Sequence, residues 1–154
     1  MINEIDKEIL KILQKDARIA NAEIARQLAM APSAIFERIK KLEKLEIFQA
    51  YQAKLNPDSI GLGLLAFIFI HTRESIGSSE IGTKLAKFPE VQEVHHITGE
   101  DCYLVKVRVA SADALWQFMK KRVGSISQIN TRTTIVLETI KETSALAFES
   151  QSKK

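Results

Sequence analysis

The stretch that decides the fold covers residues 21–45 and reads NAEIARQLAMAPSAIFERIKKLEKL. Asn21 is of a type that caps helices, and apolar residues repeat behind it at helical spacing. A sharp turn is predicted at residues 29–31, after which Pro32 takes the first turn of a second helix, where proline loses no backbone hydrogen bond. This is typical of a helix-turn-helix, although two amphipathic helices of any small bundle would give the same pattern.

The second helix of this stretch separates its residues onto two faces. Ile35, Ile39 and Leu42 form one apolar face. The polar and basic residues on the opposite face are Ser33, Glu37, Lys40, Lys41 and Lys44. A basic outer face on the longer helix favours DNA binding.

Composition limits the function classes. The chain has 154 residues, 45% of them hydrophobic, and a net charge of +3, so any DNA affinity must come from local placement of Lys and Arg. A single cysteine, Cys102, excludes an intrachain disulfide. The N-terminus lacks an apolar signal core, and the longest apolar run, residues 62–70, is less than half of the ~20 residues that a membrane-spanning helix needs. A soluble, cytoplasmic protein is expected.

Residues 1–60 are predicted to form a three-helix (winged) helix-turn-helix domain with a hinge strand. Asn3 and Asp6 have the spacing of a capping pair at the start of the first helix. Residues 47–53 alternate between apolar and polar types, which predicts the hinge strand, and the turn residues that follow end it. Helices give way to strands here, so the domain boundary is placed at residue 60.

Residues 61–142 are predicted to form an α+β domain of the ferredoxin-like βαββαβ arrangement. The predicted elements are a strand at 64–70 (LLAFIFI), a helix ended by Pro89, strands at 91–98 and 103–109, a helix capped by Ser111, and a strand at 133–141. Helices cover one sheet face in this fold, but LLAFIFI has no polar side, so a second copy is expected to cover the other face in a homodimer. Residues 143–154 form a C-terminal tail, either a frayed helix or disordered.

Nearly the whole chain resembles the Lrp/AsnC regulators, the leucine- and asparagine-responsive "feast/famine" family. The resemblance rests on an ordered set of short matches: Ile5-Asp6, residues 16–19 (DARI), residues 38–43 (RIKKLE) and Thr98-Gly99. It implies a DNA-binding transcriptional regulator that forms dimers, often assembled into octamers, and that responds to an amino acid bound between its sensing domains. No cofactor is expected beyond such an effector.

Three residues depart from what the resemblance implies. Ala29 and Glu46 stand where the family usually has glycine, and Ala31 stands where it usually has the serine cap of the recognition helix. Loss of a cap costs about 1 kcal/mol. A non-glycine residue at positive φ costs about 1–2 kcal/mol. A shifted helix start and a less firmly held recognition helix are expected, with the motif retained.

The N-terminal end of a recognition helix reaches base edges in the major groove. The residues expected to face DNA are Pro32, Ser33, Ala34, Glu37 and Lys41. Arg38 lies at the flank of the apolar face, where it either contacts phosphate or braces a neighbouring acid. The alternative for the whole set is a solvated helix face.

The family resemblance implies that the loop before Tyr103 holds the effector, and an acid often precedes that tyrosine, where this chain has Cys102. A ligand ammonium group suits a carboxylate, and a ligand carboxylate suits N–H groups or hydroxyls. The expected effector-binding residues are Gly99, Glu100, Asp101, Thr131, Thr133 and Thr134. A solvated turn beside an ordinary strand is the alternative, and Cys102 is expected to alter ligand choice or weaken binding.

His95 and His96 are adjacent on a predicted strand, so they point to opposite faces and cannot share one metal ion. A buried or interfacial histidine is the ordinary interpretation. Some proteins similar to this family are haem-pathway decarboxylases that use histidine, so such an enzyme is one alternative function. A sensing module with weakened DNA binding is another. The favoured prediction has no catalytic residues and no metal ligands.

Overall fold

The computed structural model describes residues 2–75 and 77–149 of the chain. They divide into two units. The first unit contains the described residues up to Lys54 together with those from Lys141 onward, and the second is Leu55–Ile140. Of the predicted tail, residues 150–154 lie outside the described residues.

The first unit contains three helices, α1 (Glu4–Lys15), α2 (Asn21–Gln27) and α3 (Pro32–Lys44). A reciprocal pair of hydrogen bonds starts α1. The Asp6 N–H donates to Asn3 Oδ1 at 2.9 Å, and the Asn3 N–H donates to Asp6 Oδ2 at 3.0 Å. The capping pair predicted from these two residues is confirmed.

One apolar cluster holds the three helices together. Its fully buried members include Ile9 from α1, Ile24 from α2, and Ile35 and Leu42 from α3, each 0% exposed. Ile39 is 9% exposed in the same cluster. The apolar face predicted for α3 is therefore confirmed as core.

Neither α2 nor α3 has a side-chain cap at its start. Ala20 and Ala31 occupy the N-cap positions, and Asn21 is the first helical residue of α2. The prediction that Asn21 caps α2 is wrong, because the Ala20 carbonyl already accepts the Glu23 N–H at 2.9 Å and includes Asn21 in the first turn. The expected shift of the α3 start is also wrong, since Ala31 keeps the cap position.

Both helices of the motif end with a residue in the left-handed conformation. Ala29, after α2, has a φ of 51°, and the Met30 N–H donates to the Ala25 carbonyl at 2.9 Å. Glu46, after α3, has a φ of 54°, and the Ile47 N–H donates to the Leu42 carbonyl in the corresponding hydrogen bond. These are Schellman motifs, in which glycine usually takes the left-handed position. The turn predicted at residues 29–31 is confirmed, and both substituted glycine positions have positive φ.

Residues 47–53, predicted as the hinge strand, form no strand with any residue that the structure describes. A strand needs a partner for its hydrogen bonds, and alternation in sequence does not supply one. Phe48 instead packs against the first unit's cluster and stacks on Tyr51, with 5.5 Å between ring centroids. The Tyr51 hydroxyl donates to a Glu43 carboxylate oxygen at 3.1 Å, which holds this segment against α3.

The described part of the tail is hydrogen-bonded to α1. The Gln14 amide donates to the Leu146 carbonyl at 3.0 Å and accepts the Leu146 N–H at 2.6 Å. Phe148 packs against the first unit's cluster. Residues 143–149 do not form the frayed helix that was one of the two alternatives.

The second unit has the predicted βαββαβ order. Its elements are β1 (Leu64–Thr72), α4 (Glu80–Leu85), β2 (Val91–His96), β3 (Tyr103–Val109), α5 (Ala112–Lys121) and β4 (Ile129–Ile135), with single 3-10 turns at Asp58–Ile60 and Val123–Ser125. The antiparallel sheet has the strand order β2-β3-β1-β4. Ser111 caps α5 as predicted, accepting the Ala114 N–H at 3.1 Å. The ferredoxin-like prediction is confirmed.

The two faces of β1 differ. Ala66, Ile68 and Ile70 are 0% exposed and pack in a cluster with residues of α4 and α5. Phe67 and Phe69, on the other face, are half-buried. The helix-covered side is thus a complete core, whereas the other side leaves aromatic rings partly exposed.

Several element bounds differ from the predictions, among them β1, which continues to Thr72, and β2, which ends at His96. β4 covers Ile129–Ile135, whereas the sequence predicted residues 133–141. Because this edge strand is mostly exposed, hydrophobic alternation carries little information about its register. The helix predicted to end at Pro89 ends at Leu85, and Phe88 packs on the core from the turn that follows.

Candidate nucleic-acid interface and effector site

The side of α3 opposite the core is exposed and rich in charge. Burial of three apolar side chains fixes the rotation of the helix about its axis. Ser33, Glu37, Lys40 and Lys44 then point away from the core and are all exposed. This side presents hydroxyl, carboxylate and ammonium groups to a partner.

The structure exposes four of the six candidate DNA-binding residues, and these are Pro32, Ser33, Glu37 and Lys41. Ala34 is half-buried. Direct contact of these residues with DNA stays a prediction.

Arg38, the sixth residue, is held by α1. Its Nη1 donates to Asp6 Oδ1 at 2.7 Å and to Asn3 Oδ1 at 3.3 Å. Asp6 is only 1% exposed. Burial raises the pKa of Asp6, but hydrogen bonds from Asn3 and Arg38 and the nearby positive charges outweigh burial, so this pKa lies below its ordinary value. Of the two roles left open for Arg38, the observed hydrogen bonds correspond to the one in which it braces a neighbouring acid.

Sequence reasoning missed Phe36 as a candidate contact on α3. Its side chain is 52% exposed, and the Lys40 ammonium lies 6.0 Å from the ring centroid. The available signal was its position one residue after Ile35, which places it off the apolar face in a helix.

The predicted effector loop joins β2 to β3 and lies beside β4. Asp101 Oδ2 accepts from Arg132 Nη2 at 2.9 Å, and the Arg132 guanidinium lies 4.0 Å from the Phe69 ring centroid. The Glu100 carbonyl lies 2.7 Å from His71 Nδ1. Asp101 of the loop, Arg132 of β4 and Phe69 of β1 therefore bring a carboxylate, a guanidinium and an aromatic ring close together.

The predicted threonines do not all lie on one side of the sheet. Thr133 pairs with Ile68 on the helix-covered face, and its hydroxyl lies 3.9 Å from Met119 Sδ. Thr131 shares that face two residues away, whereas Thr134 pairs with Phe67 on the other. The expectation that all three hydroxyls converge with the loop is therefore wrong, because strand side chains alternate between faces.

Arg132 was missed for the same reason. It pairs with Phe69 on the face away from the helices, next to the loop acid. The available signal was the position of Arg132 between two threonines in an alternating strand. Only the pairing register of that strand shows on which face of the sheet Arg132 lies.

Cys102, at the position of the family acid, is half-buried. Its N–H donates to the Ile70 carbonyl at 2.8 Å, and its Sγ lies 3.6 Å from the Thr72 carbonyl. Cys102 thus anchors the loop to β1 and offers no carboxylate.

The two histidines lie on opposite faces of β2, as predicted. His95 pairs with Leu104 and His96 with Tyr103. His95 Nε2 lies 3.0 Å from a Glu93 carboxylate oxygen, and the His96 ring stacks on that of Tyr103. Both are exposed in this chain, so burial within the chain is excluded, and an interfacial position stays a prediction. Residues 2–75 and 77–149 contain no group of three His, Cys, Asp or Glu side chains that could hold a metal ion.

No helix in the described part of the chain is long and apolar enough to span a membrane.

Comparisons with known proteins agree with this architecture. Residues 2–49 match a winged helix-turn-helix DNA-binding domain, and residues 65–146 match the Lrp/AsnC ligand binding domain. The HTH-type transcriptional regulator FL11 of Pyrococcus furiosus is 39% identical over 95% of this chain and 96% of its own length. The leucine-responsive regulatory protein of Escherichia coli K12 is 31% identical over 97% of this chain and 93% of its own length.

Solved structures give the same result. A transcriptional regulator of Neisseria meningitidis in complex with L-Met has a TM-score of 0.89 and 32% identity, covering 96% of this chain and 97% of that one. A feast or famine regulatory protein of M. tuberculosis, complexed with L-methionine, has a TM-score of 0.87 and 29% identity, covering 95% and 99%.

A helix-turn-helix domain followed by a ferredoxin-like ligand-binding domain defines a one-component transcriptional regulator. The chain belongs to the Lrp/AsnC family of such regulators.

Proposed function

We propose that this chain is a sequence-specific DNA-binding regulator in which α3 enters the major groove and a small-molecule effector modulates DNA binding or assembly. The observation that carries the proposal is the division of α3 into a buried apolar face and an exposed face with Ser33, Glu37 and lysines. A helix held rigidly by its core can present base-contacting residues from its first turns. In this proposal residues 1–60 bind DNA and residues 61–142 sense the effector and dimerise.

The proposed effector is an amino acid bound near Asp101. The L-methionine complexes of two relatives support this class of ligand. The pair of Asp101 and Arg132 offers one charge of each sign, which suits a zwitterion. Glu100 and Gly99 shape the same loop, and Gly99 has a φ of 119°, a conformation that favours glycine.

The proposed assembly is a homodimer that can build larger rings. Its support is the half-buried Phe67 and Phe69, which lie on the sheet face away from the helices. Pairing of two such faces would remove these rings from water.

We propose no catalytic role for the chain. His95 and His96 project from opposite faces of β2, so they do not make one acid–base pair. The proposed site of action is the cytoplasm.

The decisive experiment is selection of binding sites from a pool of random DNA duplexes, followed by affinity measurement against salt concentration. A preferred, pseudo-palindromic sequence is expected, because a dimer presents two copies of α3. Lys41→Ala is expected to reduce the slope of log affinity against log salt by about 0.9 for each phosphate that this lysine neutralises in the wild type. Lys120→Ala, an exposed lysine of α5, is the matched control and is expected to leave the slope unchanged.

Glu37→Ala is expected to relax sequence preference, since a carboxylate can accept from the cytosine amino group. If both α3 variants bind the selected site with the affinity and slope of the wild type, α3 is not the recognition helix. If selection returns no preferred sequence, the chain is instead a sensing module with weakened DNA binding.

A further inference from the structure

Phe36 is an aromatic residue that the core of its own unit does not use. It is 52% exposed, whereas the preceding Ile35 is 0% exposed. The apolar cluster of the described first unit is built from other side chains. An exposed ring gains little free energy from folding, because its apolar surface stays in water. Core packing therefore does not account for a phenylalanine at this position.

Its position on α3 is that of a groove-contacting residue. Ser33, Phe36 and Lys40 are spaced by three and four residues, so they form one stripe along the exposed side of the helix. At 1.5 Å per residue, Phe36 lies about 6 Å along the axis from Pro32. It is therefore within the first two turns, the part of a recognition helix that reaches base edges.

The chemistry of the ring restricts what it can recognise. A phenyl group has no hydrogen-bond donor or acceptor for the polar edges of the bases. Among the four bases, only thymine presents a methyl group in the major groove, and apolar side chains contact it there. The Lys40 ammonium, 6.0 Å from the ring centroid, places a positive charge beside the ring. The apolar ring suits the thymine methyl group, and the positive charge beside the ring suits the phosphate backbone next to that methyl group.

We propose that Phe36 determines specificity by packing against the C5-methyl group of a thymine, so that each half-site requires thymine at one position. This inference rests on the proposed binding of DNA by α3. It assigns Phe36 to direct contact with the base edge.

Replacement of thymine by deoxyuridine tests the contact directly, because it removes only the methyl group. The wild type selects its site from random duplexes, and each thymine of that site is then replaced singly by deoxyuridine. At one position per half-site, the replacement is expected to weaken wild-type binding about fourfold, the factor that corresponds to one buried methyl group. The same replacement is expected to leave the affinity of Phe36→Ala unchanged.

Two further variants complete the test. Phe36→Leu keeps an apolar side chain and is expected to retain the thymine preference. Trp116→Ala, an aromatic residue of α5 that is 62% exposed, is expected to respond to deoxyuridine as the wild type does. The wild-type deoxyuridine series stands on its own if a Phe36 variant folds poorly.

The outcomes are distinguishable. If a preferred site is selected but no deoxyuridine position weakens the wild type, or if Phe36→Ala shows the same loss, Phe36 does not read thymine, while the proposed function stands. Phe36 is likewise excluded as the thymine reader if Phe36→Ala changes the oligomeric state in sedimentation and leaves the thymine dependence intact, because the ring then contacts a second copy of the chain. Failure to select any sequence overturns both proposals.

Discussion

Glycine at either left-handed helix end is expected to stabilise the helix-turn-helix. Ala29 has a φ of 51° and Glu46 a φ of 54°, and both side chains are exposed. Exchange for glycine therefore removes no buried contact. Each exchange relieves the clash between Cβ and the neighbouring carbonyl that a left-handed conformation imposes on an L-residue.

The magnitude follows from two opposing effects. A non-glycine residue in the left-handed region costs about 1–2 kcal/mol. Glycine loses more backbone freedom on folding than other residues do, and this loss offsets about 0.4–1 kcal/mol of the relieved strain. The net expectation is a gain of about 0.5–1 kcal/mol for each of Ala29→Gly and Glu46→Gly. Because they lie in separate turns, the two effects are expected to add.

Amide hydrogen exchange of the peptides that cover residues 21–45 measures this gain within the first unit. Protection of the α3 amides is expected to rise by about two- to fivefold for each variant, since 1.4 kcal/mol corresponds to a factor of ten. Ala22→Gly is the matched control, because Ala22 is exposed within α2 and has ordinary helical geometry. That variant is expected to lose up to about 1 kcal/mol. If Ala29→Gly and Glu46→Gly lower protection as the control does, the left-handed residues carry no strain.

Three other expectations follow from the structure. Arg38→Met is expected to destabilise the first unit by about 1.5–3 kcal/mol at pH 7 in urea unfolding, because it removes a hydrogen bond to a buried charge. A carboxyl whose folded pKa is lowered contributes its full stability above its unfolded pKa of about 3.9 and loses that contribution as pH falls through the folded pKa. The difference in stability between Arg38→Met and wild type should therefore shrink in acid as Asp6 is protonated. Equal stability at neutral pH with a smaller DNA salt slope would indicate a phosphate contact instead. Phe67→Asp is expected to yield monomers in sedimentation, and a wild-type monomer would contradict the proposed dimer. Asp101→Ala and Arg132→Ala are each expected to weaken amino-acid binding in calorimetry at least tenfold, and unchanged binding in both would rule out this pocket.

The elements with local sequence signals were predictable. Asn3 and Asp6 satisfy each other across three residues, so the start of α1 depends on no distant part of the chain. The apolar spacing of α3 sets its buried face in the same way. The left-handed ends were also foreseeable, because Ala29 and Glu46 stand where the resemblance places glycine.

Elements that depend on a distant partner were not predictable. Residues 47–53 alternate as a strand does, but a strand requires a ladder that the local sequence cannot provide. β4 was misplaced because its side chains are mostly exposed, and its pairing with β1 is what fixes its bounds. The docking of the tail depends on Gln14, more than a hundred residues earlier in the chain.

Only part of the candidate effector site could be predicted from the sequence, for the same reason. An acidic loop can be read from sequence, but its partner is chosen by the register of β4 against β1, which brings Arg132 rather than the neighbouring threonines to Asp101. An amino acid carries a carboxylate and an ammonium on one carbon, and this pair offers a group for each. The ion pair would not block a ligand at the proposed site, since Arg132 is 63% exposed and an exposed ion pair contributes only about 0–1 kcal/mol. In the proposed effector site, Phe69, which lies against the same guanidinium, would supply an apolar surface for the ligand's side chain. Ligand choice is therefore expected to depend on Arg132 and Phe69 more than on the threonine hydroxyls, two of which lie on the opposite face of the sheet.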